Sequence, residues 1–329
     1  MELPVWPHAG LPFHAGELAA QERAGKRERM AAAGARVIRG EMPAQHRDFF
    51  GQLPFLLVGA VDAGGLPWAS MLAGVPGFAH SPDATHLRID ALPLPGDPLE
   101  QVLAHGAHIG LLGIELPTRR RNRMNGIIVA RDQDGFTVEV EQSFGNCPRY
   151  IQLREATAAL PGAPMPAWHG TALDDEAAAW LRAADTLFIA TSHAASTEEG
   201  EHTGGADVSH RGGKPGFIRV NDDGTLTFPD FNGNNFFNTI GNLLANPRAG
   251  LVVPDFAEGA LLHVGGQAEV IWGGAELAAF AGAERLVRLH VERVVRRPSV
   301  LPMRWQLREY SPVLAATGAW PPARGAHGR

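Results

Sequence analysis

The strongest constraint on this chain is that much of it is written twice. Ala69–Phe78, ASMLAGVPGF, lines up with Val208–Phe217, VSHRGGKPGF, 139 residues later. The next strand keeps that offset, Leu87-Arg88-Ile89 against Leu226-Thr227-Phe228. Gly110-Leu111-Leu112-Gly113-Ile114-Glu115 then echoes Gly250-Leu251-Val252-Val253-Pro254-Asp255, and Asn125-Gly126 echoes Gly265-Gly266, both at an offset of 140. Ahead of the shared turn, Phe55–Ala60 resembles Leu187–Ser192. Turn chemistry alone does not require a match as long as Ser-x-x-x-Gly-x-Pro-Gly-Phe. Two copies are too few for a solenoid and predict a tandem pair of similar domains.

Within each copy the apolar runs are short and bounded by turn residues. Strands are expected at Leu53 to Val61, Leu87 to Asp90, Ile109 to Glu115, Met124 to Arg131 and Phe136 to Glu141, with turns at Asp62-Ala63-Gly64-Gly65 and Asp132-Gln133-Asp134-Gly135. One short helix is expected in each copy, near 98–105 and near 237–245, and a closing helix over 275–293 carries Leu277, Phe280, Ala281, Leu286, Val287 and Val291. Many antiparallel strands with one inserted helix favour a mainly β fold, a small barrel with short helices, over a doubly wound sheet. The expected divisions are a helical lead-in over 1–40, a first domain over 41–158, a proline-rich linker over 159–170, a second domain over 171–315 and a tail over 316–329.

Composition narrows the function. Of 329 residues, 45% are hydrophobic and 19% charged, enough for a core and too little charge for a disordered chain. A formal net charge of −6 argues against nucleic acid as a partner. No apolar run reaches the length of a membrane span, and Met1-Glu2-Leu3-Pro4 lacks the start of a signal peptide, so a cytoplasmic location is expected. Cys147 is the single cysteine, which excludes a disulfide framework and a multi-thiolate metal site. With Pro148 beside it and no evident histidine partner, Cys147 reads as a bystander thiol.

Chemistry shows where the copies differ. Met71, Leu72 and Val75 of the first copy are His210, Arg211 and Lys214 in the second, and Lys214 is one of only two lysines. At the start of the short helix, Leu94-Pro95-Gly96-Asp97-Pro98-Leu99-Glu100 is replaced by Asp230–Thr239, DFNGNNFFNT. Asn and Thr side chains beside free N–H groups at a helix start suit an anion, and the adjoining cations favour a phosphate. The alternative is plain loop chemistry, with the Asn residues capping and turning the backbone. Gln142–Gln152, QSFGNCPRYIQ, closes the first copy with a dense set of side-chain donors and acceptors. The run Arg119-Arg120-Arg121-Asn122-Arg123 reads as a solvated hairpin face or as a contact to a charged ligand. No G-x-G-x-x-G fingerprint follows a strand, so a nicotinamide would bind only transiently.

Ser209–Phe217 and Pro229–Arg248, with Phe144–Ile151, resemble the pyridoxamine 5'-phosphate oxidase-like family of flavin-binding split barrels. The resemblance spans about residues 40–315 and implies two tandem split β-barrels forming a pseudo-dimer, with FMN held non-covalently between them. It implies a cofactor site of Ser209, His210, Arg211, Gly212, Lys214, Asn234, Asn235, Phe237, Asn238, Thr239 and Asn242, joined by Gln142, Ser143, Asn146 and Tyr150 of the first copy. His210 is the acid/base candidate, on the ground that histidine ordinarily titrates near working pH. Asn238 and Thr239 stand where better-known members carry Arg and Lys, so phosphate charge balance falls to Arg211, Lys214 or an arginine of the first copy. Arg304-Trp305 loosely resembles the segment that closes the site. The implied activity is an FMN-dependent oxidoreductase acting on a small organic substrate with NAD(P)H or oxygen, and a homodimer is among the partners the resemblance implies. The alternatives are a non-catalytic flavin carrier or sensor, and an enzyme using another phosphate-bearing cofactor, haem-associated or a deazaflavin. A first copy with Met71 and Leu72 in place of polar residues implies one competent pocket per chain.

Overall fold

The computed structural model describes residues 5–159, 165–193 and 203–320. Two helices, α1 (Ala15–Arg23) and α2 (Arg27–Val37), form the lead-in. The first copy follows as α3 (Ala44–Gly51), β1 (Phe55–Val61), β2 (Pro67–Ala73), β3 (Ala79–His80), β4 (His86–Ile89), β5 (His108–Glu115), β6 (Arg120–Arg131) and β7 (Phe136–Gly145). After β8 (Leu153–Ala158) and β9 (Trp168–Gly170), the second copy repeats the series. It comprises α4 (Asp175–Ala183), β10 (Thr186–His193), β11 (Gly205–Gly212), β12 (Arg219–Val220), β13 (Leu226–Phe231), α5 (Asn238–Ala245), β14 (Arg248–Asp255), β15 (Ala260–Ile271), α6 (Ala275–Ala278) and β16 (Ala283–Arg297). The chain closes with β17 (Met303–Glu309), which pairs with β8.

The repeat is reproduced strand for strand. One sheet runs β2-β1-β5-β6-β7-β4-β3 and the other β11-β10-β14-β15-β16-β13-β12, the same order with every ladder antiparallel. Gly110 lies opposite Asn125 as Gly250 lies opposite Gly265, and both β6 and β15 carry a bulge at the next residue. Such bulges bend a strand and let a sheet curl. The fold is mainly β, two curled sheets each wrapped round its own apolar core, one containing Phe50, Leu87 and Phe136, the other Leu187, Phe228 and Leu251.

Several local expectations change. The 275–293 helix is α6 followed by the long strand β16. The apparent helical period joined Leu277 and Phe280 of one element to Leu286 and Val291 of another. Within β16 itself Val287, Leu289 and Val291 alternate with Arg288, His290 and Glu292, the period of a strand. Near 98–105 there are only i→i+3 turns, Glu100 N to Asp97 O and Val102 N to Leu99 O, and no helix. The first strands align as Gly59 with Ala190, an offset of 131, one residue from the sequence alignment, because Gly59 faces Ala69 as Ala190 faces Val208. That slip exchanges the two faces of the strand. The lead-in is two helices, and the linker residues 160–164 lie outside the described residues.

The sheets meet back to back through a third core containing Phe55, Leu57, Met71, Phe188, Val208, Val252 and Trp305. Glycine sets its spacing. A Cβ on Gly250 would lie 2.1 Å from Pro67 O and 2.9 Å from Trp68 Cα, and one on Gly110 2.6 Å from Ala206 O and 2.8 Å from Asp207 Cα. These contacts are equivalent under the repeat, so each copy lays its β5-type glycine on the second strand of the other. Because the obstructing atoms are backbone, a methyl group cannot be absorbed by a rotamer change. Gly250→Ala and Gly110→Ala are each expected to destabilise the fold by about 1–3 kcal/mol, read as a lower urea midpoint, with Gly250 the more sensitive position.

Candidate functional site

Where β11, the loop after β13 and the start of α5 face the first copy, they line a cleft with about 80 Å³ of solvent-accessible interior. Both copies build it: Ser209–Gly212, Asp230, Asn234, Asn235, Phe237–Ile240 and Arg285 on one side, Arg121, Arg123, Asn146, Arg149 and Tyr150 on the other.

The start of α5 is shaped for a ligand. Phe237, preceding the helix, takes a left-handed φ of 66°, and Asn235 one of 62°. Both are costly for residues with side chains and occur where surrounding structure imposes them. No side chain caps the helix, so the N–H groups of its first turn lack intrahelical acceptors. Thr239 Oγ1 is buried there with no hydrogen-bond partner.

Cations surround this helix start. Five guanidinium groups, Arg121, Arg123, Arg149, Arg211 and Arg285, line the cleft with one carboxylate, Asp230. Asp230 is shared by Arg211 at 3.0 Å and Arg285 at 2.7 Å. Arg123 is buried and reaches across the copies to Asp207 Oδ1 at 2.8 Å, Val208 O at 2.9 Å and the Ser209 hydroxyl. Arg121 donates from Nε to Cys147 O at 2.6 Å and makes no ion pair among the described residues. Burial, reinforced by the neighbouring Arg211 and Arg123, lowers its pKa to about 9. A bound anion would relieve that strain.

His210 points its unpartnered Nε2 into buried space, with its ring edge-on to Phe188 at 5.5 Å. Burial first, then Arg121, Arg211 and Arg154, holds its pKa well below the ordinary histidine value. Burial and the surrounding arginines thus favour the neutral imidazole over the imidazolium. Tyr150 stacks on Phe231 with ring centres 4.9 Å apart and donates to Asn232 O at 3.2 Å, closing one wall.

Of the residues expected at the site, Ser209, His210, Arg211, Gly212, Asn234, Asn235, Phe237, Asn238, Thr239, Asn146 and Tyr150 line the cleft. Four do not. Lys214 turns away to donate to Thr317 O at 2.7 Å. Ser143 pairs with His46 Nδ1 of α3 at 3.0 Å, and Gln142 donates to Pro12 O of the lead-in at 3.3 Å. Asn242 points behind the helix to Thr191 Oγ1 and Asp207 Oδ2, each at 3.1 Å. Asn238 lines the cleft, but its amide is held from behind by buried Glu17 of α1. Arg304 and Trp305 do not close the site: Arg304 bonds Leu301 O at 2.8 Å, and Trp305 packs on Phe55 and Phe256 in the shared core. Cys147 contributes its carbonyl, not its thiol, to Arg121.

Sequence reasoning did not single out Arg149, Asp230 and Arg285 as members of the site, and offered Arg121 and Arg123 only as part of a run that could contact a charged ligand. The signal was present for the last two. The basic run begins strand β6, and its alternation turns Arg121 and Arg123 to the cleft, so the reading as an outward hairpin face is wrong for those two. Arg285 was hidden by the mistaken helix.

Residues 173–307 match the family model described as pyridoxamine 5'-phosphate oxidase. No curated protein matches the chain. Solved structures similar to it include HupZ of Group A Streptococcus, at 18% identity over 37% of this chain and 91% of that one, TM-score 0.29. A second is a putative pyridoxamine 5'-phosphate oxidase of Lactobacillus delbrueckii, at 20% identity over 40% and 98%, TM-score 0.31. A third is a FAD-binding protein of Mesorhizobium loti, at 16% identity over 41% and 99%, TM-score 0.26.

Burial of neutral histidines has a pH signature. His14 and His263 are each lowered to about 4, chiefly by burial, and His210 is also lowered. The unfolded chain binds these protons below about pH 6.5 and the folded chain does not. Stability from these groups is present above pH 6.5 and falls as the pH drops toward 4. Glu17, raised by burial, opposes this with a single group. The melting temperature is expected to decline from pH 6.5 to pH 4, while NMR shows the His210 ring titrating below the ordinary histidine range.

Proposed function

We propose that this chain, whose second barrel is a pyridoxamine 5'-phosphate oxidase-like split barrel, binds FMN in the inter-copy cleft and works as a flavin-dependent oxidoreductase on a small organic substrate. The observation that carries this reading is the uncapped start of α5, with the orphaned Thr239 hydroxyl, facing five guanidinium groups and a single carboxylate. A phosphate monoester satisfies these donors together, since a helix start and arginines both favour a multivalent oxyanion. The donor set fits the group without the Arg and Lys of better-known members at 238 and 239, because Arg121 arrives from the other copy.

Bound there, FMN would supply hydride or single-electron transfer. The chain's own residues bind, orient and exclude water. Thr239 and the first N–H groups of α5 hold the phosphate, Arg121 and Arg211 balance its charge, and the Tyr150–Phe231 stack forms an apolar wall. The β11 segment Ser209–Gly212 lines the ring's edge. His210 acts as a neutral hydrogen-bonding group, because an imidazolium among Arg121, Arg211 and Arg154 is disfavoured. Both halves of the cleft come from one chain, so a second chain is not needed to build it. NAD(P)H or oxygen serves as the redox partner without a nucleotide-binding domain of its own.

Protein reconstituted with FMN should show a bound-flavin visible spectrum, bleached by anaerobic NADPH or NADH. Retained flavin that neither nucleotide bleaches favours a carrier or sensor; no flavin uptake rejects the reading. Thr239→Val, which removes the hydroxyl and keeps the shape, should weaken FMN binding about tenfold or more, measured by fluorescence titration.

A further inference from the structure

The repeat requires a second cleft, related to the first by exchanging the copies. Its position follows from the pairing register. Arg123 lies opposite Leu112 as His263 lies opposite Val252. Arg123 donates to Val208 O, and His263 Nδ1 meets Ala69 O at 3.0 Å, the equivalent carbonyl one repeat earlier. Arg297 pairs with Leu261 on β15, as Asn146 pairs with Arg121 at the end of β6. Ser70 corresponds to Ser209, opposite Val58 and Ile189 respectively. The second corner therefore has a hydroxyl, a histidine and an arginine converging where the first cleft has Ser209, Arg123 and Asn146.

What fills it is the chain itself. Asp97 stands between the fourth and fifth strands of its copy, as the start of α5 does in the other. Its Oδ2 accepts from Ser70 Oγ at 2.5 Å and from Arg297 Nη1 at 2.6 Å, and its Oδ1 from Leu99 N at 2.9 Å. Asp97 and Arg297 side chains are 1% and 3% exposed. One donor of the corner stays unmet, the buried Arg297 Nε, while His263 Nε2 is a buried acceptor without a partner, its ring proton being held on Nδ1 by Ala69 O. The lining of the first cleft carries no acid at its helix start, and the Thr239 hydroxyl there lacks a partner.

We propose that the corner formed by Ser70 and Arg297, beside His263, is an anion site permanently occupied by the carboxylate of Asp97. An internal counter-ion takes the place that an external phosphate would take in the equivalent cleft. The chain therefore binds one phosphate-bearing ligand, not two, and the first copy is closed by charge as well as by the apolar Met71 and Leu72. This assignment concerns only residues of the chain and does not depend on which cofactor the open cleft holds.

Formate tests it, being the lost carboxylate as a free ion. Asp97→Gly should leave Arg297 buried and unpaired and lower the melting temperature by about 6–12 °C. Formate at increasing concentration should restore it saturably, with chloride at equal ionic strength ineffective. Wild type and the double variant Asp97→Gly/Arg297→Leu, which lacks the cation, should show no such response. If Asp97→Gly does not fold without formate, folding in formate and independent folding of the double variant support the assignment. Formate that moves all three proteins equally, or none of them, overturns it, as does a double variant that fails to fold. FMN uptake at the open cleft is read separately, so its failure leaves this result standing.

Discussion

Two glycines lying on the backbone of the opposite sheet determine the geometry on which everything else depends. Gly110 and Gly250 let strand meet strand with no side chain between, and this brings the ends of β6 and β7 within reach of β11. Only at that spacing does Arg123 of one copy bond the backbone carbonyl of Val208 in the other. The third core, with Phe55, Phe188 and Trp305, fills the rest of the interface, but apolar packing alone is indifferent to a shift of an ångström or two. Backbone contact is not.

That close approach concentrates arginine where water is scarce, and buried cations need counter-charges. The molecule meets this need differently on its two pseudo-equivalent sides. Asp97 answers Arg297 completely enough to close one side. On the other, Asp230 is shared between two arginines and Arg121 has only a carbonyl. A symmetric scaffold thus becomes functionally asymmetric through the placement of a few carboxylates, with no change in strand order.

Much of this was legible in the sequence because repetition is a long-range signal. An offset of 139–140 residues fixed the paired strands, the equivalence of Ser70 with Ser209 and the differing loops, and these persist in the pairing register. The helix at 237–245 was legible from its Asn-rich start, and α5 occupies it. Less visible were features that depend on which face a side chain takes. Lys214 sits in the right run but points to Thr317, and Arg121 lies in a run that reads as solvent-exposed yet turns inward. Ser143 and Gln142 looked like ligand groups because nothing in the local sequence reveals that α3 docks against the one and the segment before α1 against the other. The 275–293 error arose where two elements abut and their separate periods merge into a false one.

The docking of α1 carries a consequence for how the molecule is made. Glu17 bonds Asn238, 221 residues further along, and Gly16 and Gly241 meet so closely that a Cβ on either would strike the other helix. The helix α1 thus has its resting place on a segment synthesised 221 residues after it. Domains ordinarily fold as they emerge, N-terminal first. Here α1 stays without its partner until α5 has been made. The back of the cleft is therefore assembled only after both copies have been made.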